Sequence, residues 1–192
     1  MNLDRIVLAT KNPDKRAELV EVLAGVPSVG EVVEGLAWPD VDETEDTLEG
    51  NALLKARAVV EATGVTAVAD DTGLEVGSLD GAPGVLTARY AGPDATYDDN
   101  VNALLAALDG VSDRAAAFRT AVALVTPDGD ELVVEGVLEG AISTERRGSG
   151  GFGYDPIFEV GGRTLAEIPS VEKHAISHRG RALRALVEAL GG

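Results

Sequence analysis

An apolar, β-prone run from Val65 to Ala69 leads directly into two adjacent carboxylates, Asp70 and Asp71, and then into Thr72-Gly73-Leu74-Glu75-Val76. The pattern predicts a short buried strand that carries negative charge to the edge of a sheet, with Thr72 and Gly73 opening a turn. In open α/β sheets ligands sit beyond the carboxyl ends of the strands, so charge delivered there is useful. Side chains alternate along an extended chain. Asp70 and Asp71 should therefore point to opposite faces, one toward a cleft and one bracing the loop, unless the turn has already begun. Taken alone, an Asp-Asp-Thr-Gly turn with solvated carboxylates is the plainer reading, and the rest of the chain decides between the two.

A chain of 192 residues, 45% of them hydrophobic, fits one domain, or two intimate lobes, with a core large enough to need no staples. It has no cysteine, which removes disulfides, thiolate metal sites and a cysteine nucleophile. No apolar run approaches a membrane span, and the first residues enter strand-like sequence instead of a signal peptide, so a cytoplasmic protein is expected. The net charge of −17 argues against duplex nucleic acid or an anionic membrane as partner. The lysines are Lys11, Lys15, Lys55 and Lys173. Such scarcity beside abundant Asp and Glu points to a salt-rich cytoplasm that screens self-repulsion, and it marks the few lysines retained as candidates for a binding task.

In chain order, Leu3 to Ala9 reads as a central strand feeding Thr10-Lys11-Asn12-Pro13-Asp14-Lys15. Asn12 is a good N-cap and Pro13 a good first residue for a helix carrying Ala17, Leu19, Val20, Val22 and Leu23 and stopping at Gly25. The N–H groups and dipole at such a start suit a phosphate, and Lys15 adds a full charge. Gly30 to Leu36 is a second strand, and Trp38 to Glu45 an acidic loop. A helix then runs from Asp46, capped with Glu49, to Gly64, with Leu53, Ala56, Val59 and Val60 as its apolar stripe and Asn51 and Lys55 on another face. After the Gly/Pro loop at 79–85, Thr96 and Asp99 cap a helix to Gly110. Ala116–Val125 and Glu131–Leu138 form a hairpin, which makes the sheet mixed.

Two more stretches look chemical. Gly148-Ser149-Gly150-Gly151-Phe152-Gly153-Tyr154-Asp155-Pro156 cannot be regular structure, and an aromatic held between glycines can serve as a plate for a base. Ser177 caps a last helix with Leu183, Leu186, Val187 and Leu190 as its buried stripe. That places His178 and Arg179 on the first turn, with Lys173 upstream, as a second corner for anions or carbonyls. Lysines kept against a repelling background call for a polyanion, and acidic residues near Glu43 and Asp71 would hold Mg²⁺ on its phosphates. With a stacking Phe, the ligand is a nucleoside triphosphate. No P-loop or kinase pattern is present, so hydrolysis is expected in place of phosphoryl transfer.

These motifs, together with Glu43-Thr44, Asn51-Ala52-Leu53-Leu54-Lys55-Ala56 and Gly81-Ala82-Pro83-Gly84 through Ala88-Arg89-Tyr90, appear in an order that resembles the inosine triphosphate pyrophosphatase family across essentially the whole chain. The resemblance implies a long mixed twisted sheet flanked by helices that form two lobes around a central cleft, usually in a homodimer. It implies Mg²⁺-dependent hydrolysis of ITP, dITP and XTP to the monophosphate and pyrophosphate. By position, Asp71 resembles the proton acceptor and a metal ligand, with Glu43 the second ligand and Asp70 supporting. Thr10, Lys11, Asn12, Pro13, Asp14, Lys15, Lys55, Thr72 and Lys173 resemble triphosphate contacts. Phe152, Gly153, Tyr154 and Asp155 with His178 and Arg179 resemble the base pocket, whose donors would accept a 6-oxo group and refuse a 6-amino group. The departures are Thr72 where serine is common, Leu48 and Gly50 where Phe and Glu are frequent, and an extra imidazole at His174. The competing expectations are a pyrophosphatase of the same fold acting on pyrimidine or modified nucleotides, and a nucleotide sensor without turnover, which could dispense with Asp71 and Glu43.

Overall fold

The computed structural model describes residues 3–23 and 29–191, the side chain of Val22 excepted. Strands and helices alternate through the third strand, after which strands follow one another in pairs and runs. In order they are β1 (Arg5–Leu8), α1 (Pro13–Leu23), β2 (Glu31–Val32), α2 (Leu48–Thr63), β3 (Thr66–Val76), β4 (Pro83–Gly84), α3 (Tyr97–Ala107), β5 (Ala115–Val125), β6 (Glu131–Ile142), β7 (Phe158–Val160), β8 (Arg163–Thr164), α4 (Ser170–Ile176) and α5 (His178–Ala189). The strands form one mixed sheet in the order β2-β1-β3-β5-β6-β7-β8, with β4 paired to β3. The α/β class with a mixed sheet is therefore the one observed. No described helix is long and apolar enough to cross a membrane.

Local chemistry explains most boundaries. Asn12 Oδ1 accepts from the backbone N–H groups of Asp14 at 2.9 Å and Lys15 at 3.3 Å, so α1 starts at Pro13. Its expected stop at Gly25, and Val22 in its stripe, lie outside the described residues. Helix α2 is capped by Thr47, whose Oγ1 accepts from Gly50 N–H at 3.0 Å, one residue later than the Asp46 cap the sequence suggests. Its buried stripe is Leu48, Asn51, Ala52, Ala56 and Val59, so Asn51 lies on the buried face and not apart from it. Gly64 ends α2 in the left-handed region, and Thr96 with Asp99 forms the expected capping box on α3.

Strand β3 departs most from expectation. It continues past Asp71 to Val76 with no turn at Thr72 and Gly73, because β4 pairs with it, Leu74 opposite Gly84 and Glu75 opposite Pro83. The second strand is only Glu31–Val32, β6 runs four residues beyond Leu138 to Ile142, and α4 is a helix that the sequence pattern does not predict. Ser177 stands between α4 and α5, so the expected start of the last helix holds.

The chain divides into two compact units, residues 1–71, 120–136 and 179–192 in the first and 72–119 and 137–178 in the second. The first has its own core, made of Ile6, Leu8, Leu19, Leu23, Val68, Val122, Leu124, Leu183 and Leu186 among others. The core of the second gathers Leu74, Val76, Leu104, Leu108, Phe118, Leu138, Ile142, Tyr154, Ile157 and Phe158.

Candidate active site

In the first unit the parallel ladder fixes where the charge falls. Strand β1 pairs with β3 at Ile6–Thr66, Val7–Ala67 and Leu8–Val68, and the pairing ends there. Asp70 and Asp71 therefore lie just past the carboxyl end of the paired segment, although the strand itself goes on. This is the position at which α/β sheets place ligands. Both residues are buried. They serve opposite faces, as alternation along the strand requires.

On one face Asp70 Oδ2 meets Lys15 Nζ at 3.2 Å and Arg179 Nε at 3.2 Å, and the Arg179 NH1 nitrogen also binds Glu18. Burial opposes ionisation of Asp70, but Lys15, Arg179 and Lys55 outweigh it and hold the carboxyl well below its ordinary range. On the other face Lys55 Nζ donates to Glu43 Oε1 at 2.9 Å and to Asp71 Oδ1 at 3.0 Å. Burial pushes the Asp71 carboxyl above its ordinary range, and the Glu43 charge adds to this while Lys55 and Lys15 resist it. Burial works against the charge on Lys55, but Asp71, Glu43 and Asp70 together raise its pKa. Asp71 Oδ2 is buried with no hydrogen-bond partner among the described residues. An orphaned carboxylate oxygen of this kind has an unmet need for a proton, a cation or a water.

The remaining residues of the expected phosphate loop sit around the capped start of α1. Thr10 Oγ1 accepts from Asn12 N–H, and Lys11 reaches Asp40 and the Trp38 carbonyl on the surface. Glu18 was missed by sequence reasoning. The signal was its place one turn beyond Lys15 on the face of α1 that buries Leu19, where a carboxylate needs a cation.

In the second unit the glycine-rich segment folds around Asp155. Its Oδ2 accepts from Phe152 N–H at 2.8 Å and from Lys173 Nζ at 2.7 Å. Lys173 Nζ also stands 5.0 Å from the Phe152 ring centroid, a cation–π contact, so this lysine is grouped with the aromatic and Asp155. Tyr97 meets the other aromatic neighbour, its ring 5.9 Å from Phe152. Tyr154 is core, its hydroxyl donating to the Thr87 carbonyl at 3.0 Å, and buried His178 stacks on Phe118 at 4.7 Å. Gly148, Gly150 and Gly151 serve the protein's own close approaches, to Ala166 and Asp155. At Gly151, with φ +70°, an added Cβ would lie 1.9 Å from Asp155 Oδ2. Gly151→Ala is therefore expected to cost about 1–3 kcal/mol in backbone strain and to prise Asp155 from Lys173. Thermal unfolding measures this, and an unchanged midpoint would mean that the turn is not built around Asp155.

In the first unit, then, carboxylates and ammonium groups gather past the end of a parallel ladder, and in the second an aromatic ring stands with its own lysine, on a mixed α/β fold. The sequence profile of the Ham1 family matches residues 6–189, and the chain belongs to that family. A dITP/XTP pyrophosphatase of Streptomyces coelicolor is 49% identical over 192 residues, covering 96% of each chain. One of Geobacter sulfurreducens is 45% identical over 194 residues, covering 98% of each. The structure of a Ham1 protein from Coxiella burnetii superposes with a TM-score of 0.89 at 42% identity, covering 97% of this chain and 98% of that one. The crystal structure of a nucleoside-triphosphatase, dITP/XTP pyrophosphatase, from Mycobacterium abscessus gives 0.77 at 48% identity, covering 95% and 98%.

Proposed function

We propose that this Ham1-family chain is a nucleoside triphosphate pyrophosphatase that hydrolyses non-canonical purine nucleotides, dITP, XTP and ITP, to the monophosphate and pyrophosphate. Membership of a family whose relatives carry the dITP/XTP pyrophosphatase name supports the class of reaction. The observation that carries the mechanism is the buried, unpartnered Oδ2 of Asp71, in a carboxyl that burial pushes above its ordinary range. A general base works best when its pKa approaches the operating pH, and Asp71 is the group moved in that direction.

The donor set also fits a hard divalent cation. Glu43 and Asp71 offer carboxylate oxygens drawn together by one ammonium. Mg²⁺ is commonly held by one or two carboxylates with substrate oxygens and water, and Glu43 and Asp71 supply two such carboxylates. Bound there, Mg²⁺ would polarise a phosphoryl oxygen and offset its charge. Glu43 and Asp71 would hold it.

This chain's residues do the rest. Asp71 accepts the proton of the attacking water. Thr10 to Lys15, at the capped start of α1, and Lys55 and Thr72 bind phosphate oxygens, with Lys173 assigned to the same anion. Phe152 stacks the base with Gly153, Asp155 and His178 as its surroundings, Tyr154 supports that segment from the core, and Arg179 acts through Asp70 and Glu18. A homodimer acting on the cytoplasmic nucleotide pool completes the reading on the strength of the family resemblance. Pyrophosphate release measured with ITP, dITP, XTP, GTP, ATP and dTTP tests it. Turnover of the first three and little of ATP or dTTP is expected; preference for dTTP, or binding without turnover, would defeat it.

A further inference from the structure

We propose that Asn51 is a positioning residue for Glu43, clamping the acidic loop so that the Glu43 carboxylate is already in place when a cation arrives; this rests on the reading of Glu43 as a metal ligand. Glu43 lies in a segment without regular structure, between Asp42 and Glu45, in a chain of net charge −17. Left to itself such a loop would swing away from Asp71, a like charge. Two ties to α2 prevent this. At the side-chain end Lys55 binds Glu43 Oε1. On the backbone, two residues further on, Asn51 Oδ1 accepts from Glu45 N–H at 3.0 Å while its Nδ2 donates to the Glu45 carbonyl at 3.3 Å.

One amide thus satisfies both backbone groups of Glu45, as a strand neighbour would. Asn51 is fully buried, which a primary amide tolerates only when its polar atoms are matched. Asn51 and Lys55 are one helical turn apart, so backbone clamp and side-chain tie are held in register by the same helix face. The loop also lies close on the first turn of α2, where a Cβ on Gly50 would come 2.7 Å from Glu45 Cβ. Residues that orient a ligating carboxylate without touching the ion commonly change metal affinity when they are lost.

The experiment uses Mn²⁺, an EPR-visible cation that takes the same oxygen ligands. Binding of Mn²⁺ alone is read from the free-ion signal for the wild type, Glu43→Gln, Asn51→Asp and Asn51→Ala. The Mn²⁺ midpoint for pyrophosphate release from ITP is read in parallel. Asn51→Ala should weaken Mn²⁺ binding about tenfold, while kcat at saturating Mn²⁺ stays within about twofold. Asn51→Asp keeps the acceptor for Glu45 N–H but loses the donor, so it should fall between Asn51→Ala and the wild type. If Asn51→Ala does not fold, Asn51→Asp decides alone. Unaltered Mn²⁺ binding in a folded Asn51 variant, with Glu43→Gln impaired, overturns the positioning role and leaves the metal reading intact. Unaltered binding in Glu43→Gln removes the metal reading and this proposal with it.

Discussion

Asp71→Asn should abolish pyrophosphate release from ITP, by about a thousandfold or more in kcat, while the thermal midpoint stays where it is or rises. The two halves of this result follow from one physical fact. Burial raises the Asp71 carboxyl, and the Glu43 charge adds to it. An acid whose folded pKa is raised destabilises the fold once pH exceeds its unfolded value, because the native state must carry a desolvated charge. The amide removes that charge and keeps the shape. Lys55 retains Glu43 as a partner. The same amide cannot take a proton from water or supply an anionic oxygen, and loss of a positioned base alone is worth about 10²–10⁴ in rate. The wild-type kcat should climb as pH rises through the raised Asp71 value and then level. A variant that turns over ITP at the wild-type rate would refute the base; one that unfolds many degrees earlier would show that Asp71 is structural.

The neighbouring carboxylate is built for the other purpose. Asp70 and Asp71 are adjacent on β3, yet the alternation of the strand gives one to Lys15 and Arg179 and the other to Lys55 and Glu43. Their environments drive them in opposite directions, which is the arrangement that separates a structural charge from a chemical one. The sequence showed that the pair should split across the faces. It did not show which partner each would meet, because those come from α1, α2 and α5.

Elements with strong local rules were legible. Asn12-Pro13, Thr96 with Asp99, Gly64, and the hairpin about 126–130 all specify their own geometry within a few residues. Features set by tertiary pairing were not. Thr72-Gly73 reads locally as a turn, and it stays extended within a strand flanked by β5 and β4. The two-residue strands β2, β4 and β8 have no period to detect. Within the candidate site, Lys15, Lys55 and Asp71 could be chosen because charge beside a strand end or helix start is conspicuous. Asn51 could be placed beside Lys55 on the helix but not assigned a partner, and Glu18 had only its spacing from Lys15 to mark it, since a polar residue on a buried helix face declares its role only through its partner. Lys173 stands out in a lysine-poor chain, but its partners Asp155 and Phe152 come from a loop whose path depends on Gly151.

Arg179→Met should lower the stability of the chain by about 3–5 kcal/mol near neutral pH, the usual cost of breaking a buried ion pair from one side. For a domain of this size that corresponds to a fall of about 6–20 °C in the thermal midpoint. The guanidinium is 3% exposed and binds two carboxylates, Asp70 and Glu18, that are themselves buried. Methionine fills much of the volume, so the loss is electrostatic and not a cavity effect. The pH dependence separates this from a simple packing defect. In the wild type the Asp70 carboxyl is depressed against the pull of burial by Lys15, Arg179 and Lys55, so its contribution is fully present above the unfolded value and is lost only as pH falls through the lower folded value. Without Arg179, burial is opposed by the lysines alone and the folded value rises. The difference between wild type and variant should therefore be largest at pH 7 and shrink as the medium is acidified below about pH 4, where the unpaired carboxylate can protonate. A packing defect would give the same deficit at both pH values, and that constant deficit in parallel melts would rule out the ion-pair account.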